Sequence, residues 1–353
     1  MLTAFLIALL LAACSSQRTT DDSERGIDRF GDQSGLFSIG PVHQNSDSSR
    51  IGELAWDEHA DSPIVINGAP GSWNEQKADT GNSLVSFDGS WWLYHGGIDS
   101  GGTDRIGALI SSGSSISGPW SDPAENPILD IGAPGTWDDS RVDHPSVIGY
   151  NGELLMYYSG HDGTTWRIGL AKARDGISWV KSGSNPVLSP GNSGAWDGAG
   201  VGHPSVIYDG SRFVMAYWGW KEGDLDTQSR IGIATSDDGI DWQKLDGNPV
   251  LYYGGPGEWD EYGLLTPRLW IENGRYYMNY AGKDVASLAS SVGHAYADSL
   301  TSWTKDSNNP MIDHNAVPYL EIEWATPVRI EESWFLLTPA YFDGGVTALW
   351  VGR

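Results

Sequence analysis

The stretch Val142–Gly160 reads VDHPSVIGYNGELLMYYSG, and nearly the same phrase returns at Val201–Gly219 as VGHPSVIYDGSRFVMAYWG. Each copy starts with an apolar-rich run, crosses Asn-Gly or Asp-Gly, and returns as an aromatic run. Two such runs joined by these dipeptides predict a β-hairpin, because a tight hairpin turn needs the positive φ that Asn, Asp and Gly tolerate. Three further copies follow the same plan: ADTGNSLVSFDGSWWLYHGG from Ala78, LLTPRLWIENGRYYMNYAG from Leu264 and WATPVRIEESWFLLTPAYF from Trp324. Five copies at one spacing point to a repeat architecture rather than to a chance hairpin.

More text recurs around the hairpin. RIGLAKARDGISWVK from Arg167 and RIGIATSDDGIDWQK from Arg230 read as a second hairpin, and NPVL or a variant recurs at Asn126, Asn185, Asn248 and Asn309. An aromatic residue stands at a fixed place before each phrase: Trp73, Trp137, Trp196, Trp259 and Tyr319. The unit therefore holds four strands, and four-stranded antiparallel units repeated about an axis are propeller blades. The expected fold is all-β, a five-bladed β-propeller with four antiparallel strands per blade. The C-terminal VTALWVGR matches only a third strand. The N-terminal RIGELAWDEHADSPIVI, Arg50 to Ile66, is expected to supply the missing strand and leave no open sheet edge.

Composition narrows the partners. Asp plus Glu number 46 against 21 Lys plus Arg, a net charge of -25, which repels nucleic-acid phosphates and anionic lipid heads. The 18 Trp and 15 Tyr suit both flat platforms for sugar rings and inter-sheet packing, and most are expected in the core. The opening MLTAFLIALLLAAC has an apolar run too short to span a bilayer and of the length of a signal-peptide core. Its Leu11-Ala12-Ala13-Cys14 resembles the bacterial lipoprotein cleavage box. That resemblance implies a signal peptide over 1–13, acylation of Cys14 and, with Ser15 and Ser16 following, delivery to the bacterial outer membrane or a periplasm-facing surface. A polar tether is expected over 14–34 and the propeller domain over 35–353, with membrane contact only through the lipid. Cys14 is the single cysteine, so no disulfide is expected. A monomer is expected.

The two opening phrases differ at one informative place, where Asp143 becomes Gly202. Across the five copies that position holds Asp79, Asp143, Gly202, Leu265 and Ala325, followed by Thr80, His144, His203, Thr266 and Thr326. Strand alternation puts the residue two earlier on the same side: Lys77, Arg141, Gly200, Gly263 and Glu323. The candidate acids at the mouth of the axis are thus Asp79, Asp143 and Glu323, with Glu261 a further one and Lys77 and Arg141 as counter-charges. Asp138, Asp197 and Asp260 follow the repeated Trp in three copies and read as loop-capping residues. Trp166, Trp218 and Trp220 are candidates for stacking on sugars, and His144, His161, Asp162 and His203 for bonding hydroxyls. Arg105, Arg167 and Arg230 recur at the start of the third strand and read as structural. The spacing of Asp143, His144 and His203 matches no known ligand motif, so neither metal nor cofactor is expected.

Together the blade pattern and the acidic strand starts, VDHPSVI and ADTGNSLV, resemble the five-bladed propeller glycosidases of families 43, 32, 68 and 130 over roughly Asp57 to Arg353. The resemblance implies that Asp79 is base or nucleophile, that Asp143 is an auxiliary acid beside Arg141, and that Glu323 or Glu261 is the general acid. Such chemistry needs one carboxyl held protonated and another ionised, which follows when their surroundings push the two pKa values apart. The expected function is glycoside hydrolysis of poly- or oligosaccharides. The alternatives are a non-catalytic glycan-binding lipoprotein and a glycoside phosphorylase using Lys77, Arg141 and His144 for phosphate.

Overall fold

The computed structural model describes residues 51–352, apart from 52–53, 55, 59–62, 114, 117, 224–227, 286–288, 317–321, 323–324, 331–332 and 340–345. At 56, 58, 79–80, 330, 339 and 346–352 the description is of the backbone. The signal peptide, Cys14 and the tether lie outside the described residues, as do Tyr319 and Glu323. The Asp79 side chain also lies outside them.

The fold is all-β and propeller-like. Four sheets each hold four antiparallel strands in sequence order. The first is Lys77–Phe87, Ser90–Ile98, Asp104–Ser111 and Trp120–Ser121; the second is Arg141–Tyr150, Glu153–His161, Trp166–Ala173 and Val180–Lys181. The third is Gly200–Tyr208, Phe213–Trp220, Arg230–Ser236 and Gln243–Lys244; the fourth is Gly263–Glu272, Arg275–Lys283, Ser290–Ser299 and Ser302–Lys305. A fifth sheet contains Thr326–Ile330, Ser333–Pro339 and Val346–Gly352, and two short N-terminal strands, Trp56–Glu58 and Val65–Ile66, pair antiparallel with Val346–Gly352. Where the sequence suggested one continuous strand from this region, two separate short ones are found.

The hairpins form for the reason the dipeptides suggested. Asp88-Gly89, Asn151-Gly152 and Asn273-Gly274 all take positive φ at both residues, the geometry that matches a turn to the strand twist. The third copy differs: Asp209 keeps negative φ and caps a longer loop, its carboxylate accepting from the Ser211 and Arg212 N–H groups at 2.9 and 3.0 Å.

Apolar clusters fill the gaps between neighbouring sheets. Val85, Tyr94, Val147 and Met156 pack between the first and second, Ile148, Tyr157, Val206 and Met215 between the second and third, and Ile207, Val214, Leu269 and Met278 between the third and fourth. Leu84 and Leu93 meet Val328 and Leu337 between the first and fifth, while Val292 meets Leu336 between the fourth and fifth. The repeated serine links the inner strands. Ser83, Ser146 and Ser205 accept from the backbone N–H of Val147, Val206 and Leu269, each on the next sheet, at 2.9, 3.0 and 2.8 Å. Where the fourth sheet has Arg268 instead, the buried guanidinium donates to Asn82 O at 2.9 Å and to Thr326 Oγ1 at 3.2 Å, joining the first, fourth and fifth sheets. A cavity of about 50 Å³ is lined by residues of all five inner strands, among them Ser83, Ser146, Ser205, Arg268 and Thr326.

Candidate functional site at the mouth of the inner strands

Every inner strand of the four complete sheets breaks its register near its start: between Ala78 and Asn82, Asp143 and Ser146, Gly202 and Ser205, and Leu265 and Arg268. These are β-bulges, which re-aim side chains and recur beside functional sites. His144, His203 and Thr266 sit in them with φ of 54, 48 and 52°, a left-handed conformation that costs a residue with a Cβ free energy and marks an imposed geometry. Pro145, Pro204 and Pro267 follow directly, where the first copy has Gly81. The persistent His-Pro-Ser phrase is therefore explained twice over: by a bulge, and by the serine that bonds the next sheet.

The bulge presents Asp143 and His144 together. Asp143 is buried, and its Oδ1 accepts from the His144 N–H at 2.7 Å while Oδ2 lies 3.6 Å from His144 Nε2. The His144 and His203 rings stack across the gap between the second and third sheets at 3.8 Å. The stack continues through Trp218 at 4.6 Å from His203, and Trp220 lies 4.2 Å from Trp218. On the other side Trp166 stands edge-on to His144 at 6.1 Å and packs against His161 at 4.7 Å. The sequence expected both the strand starts and the loop after the second strand to line one mouth, and the second sheet does this through His144, His161 and Trp166.

The third sheet gives up its acid for room. A Cβ on Gly200 would stand 2.1 Å from the Trp220 ring, and one on Gly202 would stand 3.1 Å from Ser159 Oγ and 3.4 Å from Trp218. Ser159 Oγ meanwhile accepts from the His203 N–H at 2.8 Å, holding the bulge. Asp143 has become Gly202 because aromatic rings occupy that corner.

Both histidines are held neutral. Burial pulls the His203 pKa down to about 3, assisted by Arg268 and Lys283. Burial also holds His144 well below the usual imidazole range, followed by His203, Arg268 and Lys77. Neutral imidazoles offer one donor and one acceptor each, the pairing that sugar hydroxyls use.

Asp104 is an acid that the sequence reading missed. It begins the third strand of the first sheet, is buried, and its Oδ2 lies 3.7 Å from Arg141. Burial raises its pKa to about 6, against the pull of Arg141 and Lys77. One strand, Ser90–Ile98, separates Lys77 from Asp104, and the register Lys77↔Ile98↔Asp104 puts both on one face of the sheet. The available signal was Asp104 immediately before the repeated Arg-Ile-Gly.

Other candidates have structural partners. The Glu261 carboxylate accepts from the Gly257 N–H, as Glu75 does from Gly71 and Asp139 from Gly135 at 2.6 Å, so it caps a repeated loop. Asp162 binds Arg167 at 2.7 Å together with the Thr164 and Thr165 N–H groups. Arg105 binds Asp99 and Asp130 at 2.5 and 2.8 Å, and Arg230 lies over the Tyr253 ring. Asp138, Asp197 and Asp260 are more than loop caps: each is buried and accepts from a lysine of its sheet's outer strand, Lys181, Lys244 or Lys305, at 2.7, 2.6 and 2.5 Å. Among the described residues, no group of three His, Cys, Asp or Glu is placed to hold a metal ion.

Comparison with known proteins follows this geometry. Residues 197–338 match the family of beta-1,4-mannooligosaccharide phosphorylases, glycoside hydrolase family 130. An uncharacterized protein of Mycobacterium tuberculosis is 30% identical over 162 residues, 44% of this chain and 53% of its own length. A beta-1,2-mannobiose phosphorylase of Thermoanaerobacter is 30% identical over 131 residues, 34% of this chain and 42% of that protein. The chain thus spans about half the length, or less, of these curated relatives. Among solved structures, one described as showing that family 130 mannoside phosphorylases include hydrolases of beta-1,2 mannosidic linkages in Candida mannan superposes with a TM-score of 0.63 at 14% identity, covering 89% of this chain and 96% of that one. A thermostable family-43 glycoside hydrolase superposes with a TM-score of 0.58 at 18% identity, covering 81% and 90%. The chain therefore has the fold of the β-propeller glycosidase families, and resembles family 130 in sequence over its third to fifth repeats.

Proposed function

We propose that the protein is a glycoside-cleaving enzyme, a hydrolase of poly- or oligosaccharides whose site is the mouth of the inner strands. The observation that carries this reading is a pair of buried acids in unlike surroundings, Asp143 beside a neutral histidine and Asp104 against Arg141 with its pKa raised to about 6, with the rings of His203, Trp218 and Trp220 continuing the stack from His144. On this reading the fifth sheet completes a five-bladed ring closed by the N-terminal strands. Asp79 acts as base or nucleophile in the register position equivalent to Asp143, and Glu323 donates the proton. His144, His203, His161 and the three tryptophans hold the sugar. Glu261 is assigned to its loop. Cys14 carries the lipid that tethers the enzyme at the bacterial cell envelope.

Phosphorolysis is the second reading. It is favoured by the cations that act on the mouth, namely Lys77, Arg268 and Lys283 on the histidines and Arg141 on Asp104, and by the phosphorylase names among the relatives. The test is incubation of the protein with β-mannobioses and a glycoside panel, with and without inorganic phosphate. Free sugar in phosphate-free buffer supports hydrolysis, and a sugar 1-phosphate formed only with phosphate supports the second reading. Sugar binding without either product would replace both with a glycan-binding module. Asp143→Asn is expected to lower turnover about 10²–10⁴-fold.

A further inference from the structure

Arg141 is a loosely paired, half-exposed cation at the mouth; Arg212 shares that arrangement with Asp209 at 4.0 Å, but in a hairpin turn at the other end of the strands. In a protein with 46 acids and 21 bases, cations readily find close carboxylates: Arg105 at 2.5 Å, Arg167 at 2.7 Å, and Lys181, Lys244 and Lys305 at 2.5 to 2.7 Å. Among the described residues the nearest carboxylate oxygen to Arg141 is that of Asp104, 3.7 Å away, while the Arg141 side chain is 48% exposed and that of Asp104 only 6%. The guanidinium is thus held from behind by a buried acid and open in front. The second Asp104 oxygen, Oδ1, is buried without a hydrogen-bond partner among the described residues.

We infer that the solvent-facing side of the Arg141 guanidinium, where the first and second sheets meet, is a subsite for the carboxylate of an acidic sugar, with Asp104 as the positioning residue behind it. This deepens the proposed function and rests on reading the mouth as a sugar site. A guanidinium presents two parallel N–H groups that match a carboxylate. Charge selects the ligand. Among the described residues the groups acting on Asp104 are Arg141, Lys77 and Asp99, and Asp99 shares Arg105 with Asp130 at 2.5 and 2.8 Å. Arg141, Lys77 and Arg105 against Asp104, Asp99 and Asp130 leave no net charge, a setting that a singly charged sugar carboxylate disturbs less than a phosphate dianion does. His161 lies opposite Arg141 in the strand register, and burial and Arg141 lower its pKa, so at pH 7.5 it adds no charge.

Asp104 also sets a pH dependence. As pH falls through about 6 its carboxyl takes up a proton, the local positive charge rises, and a sugar that stays ionised binds more tightly.

The experiment is calorimetric titration of the whole protein with methyl glucuronide, methyl glucoside and inorganic phosphate at pH 7.5 and pH 5. Glucuronide is expected to bind about 10- to 100-fold more tightly than glucoside, with the ratio growing at pH 5. Arg141→Gln should collapse the ratio towards one, and Arg141→Lys, keeping charge without the fork, should leave it intermediate. Asp104→Asn should make the ratio independent of pH, which a purely structural role for Asp104 would not do. A ratio near one in the wild type, a ratio unmoved by Arg141→Gln, or displacement by phosphate of a ligand that glucuronide cannot displace would each overturn the subsite. A protein that binds neutral sugars alone loses this subsite and keeps the proposed function, whereas one that binds no sugar loses both.

Discussion

His294 gives a stability prediction that can be worked from structure to number. It lies in the third strand of the fourth sheet, fully buried between the fourth and fifth sheets, with Nδ1 3.0 Å from Asn279 Oδ1. Its ring stacks on Tyr277 at 5.8 Å and lies tilted on Trp270 at 5.5 Å, and Nε2 has no hydrogen-bond partner among the described residues. A protonated imidazole would carry a charge there with nothing to receive its second N–H. Burial accordingly lowers the pKa from 6.5 to about 4, with Asp306 pulling weakly the other way. The unfolded chain binds the proton near 6.5 and the folded one only near 4, so the contribution is intact above about pH 6.5 and is lost as pH falls through that window. The full shift corresponds to about 3.4 kcal/mol, of which about 2 kcal/mol is lost by pH 5.

The repeat supplies its own control. At the same register the third sheet pairs Ile233 with Ala216 where the fourth pairs His294 with Asn279. His294→Ile with Asn279→Ala grafts that apolar pair and removes the titrating group. Urea melts at pH 7.5 and pH 5 would compare the two proteins. Acid effects from the many carboxylates are common to both and cancel in the difference. The double variant should lose about 2 kcal/mol less than the wild type between the two pH values. An equal loss in both proteins would refute the reasoning, whatever the variant's absolute stability.

Two further outcomes follow from the packing. Lys181→Met leaves the Asp138 carboxylate buried with the Tyr158 and Thr136 hydroxyls at 3.0 and 3.2 Å but no cation, and should cost about 3 kcal/mol in thermal or urea unfolding, most of it recovered by adding Asp138→Asn. Gly200→Ala places a methyl 2.1 Å from Trp220 and must turn that ring out of its stack on Trp218. Sugar affinity by tryptophan-fluorescence titration should then fall about 3- to 10-fold, since an aromatic stack contributes about 0.5–1.5 kcal/mol; unchanged affinity would show that Trp220 takes no part in binding.

The repeated phrase carried the strand order, the hairpin turns at Asp88, Asn151 and Asn273, and the aromatic marker, because all of these are local. Trp73, Trp137, Trp196 and Trp259 recur because each packs on two glycines of its own sheet, such as Gly160 and Gly169 above Trp137. Recurrence in three copies set Asp138 apart from Asp143, but the partners of either acid were not legible. Asp138 and Asp143 are five residues apart and both buried, yet one is locked by Lys181 and the other meets a histidine in a bulge. Glu261 looked like an acid at the mouth until its carboxylate was found on the Gly257 N–H.

By itself the sequence determined what repeats: sheets of antiparallel strands and their turns. Only the tertiary structure decided what the mouth contains, because its contacts join residues far apart in the chain. Asp104 and Arg141 meet across the gap between two sheets, and His144 and His203 stack across another, at distances fixed by sheet packing and by bulges that alternation along a strand does not encode.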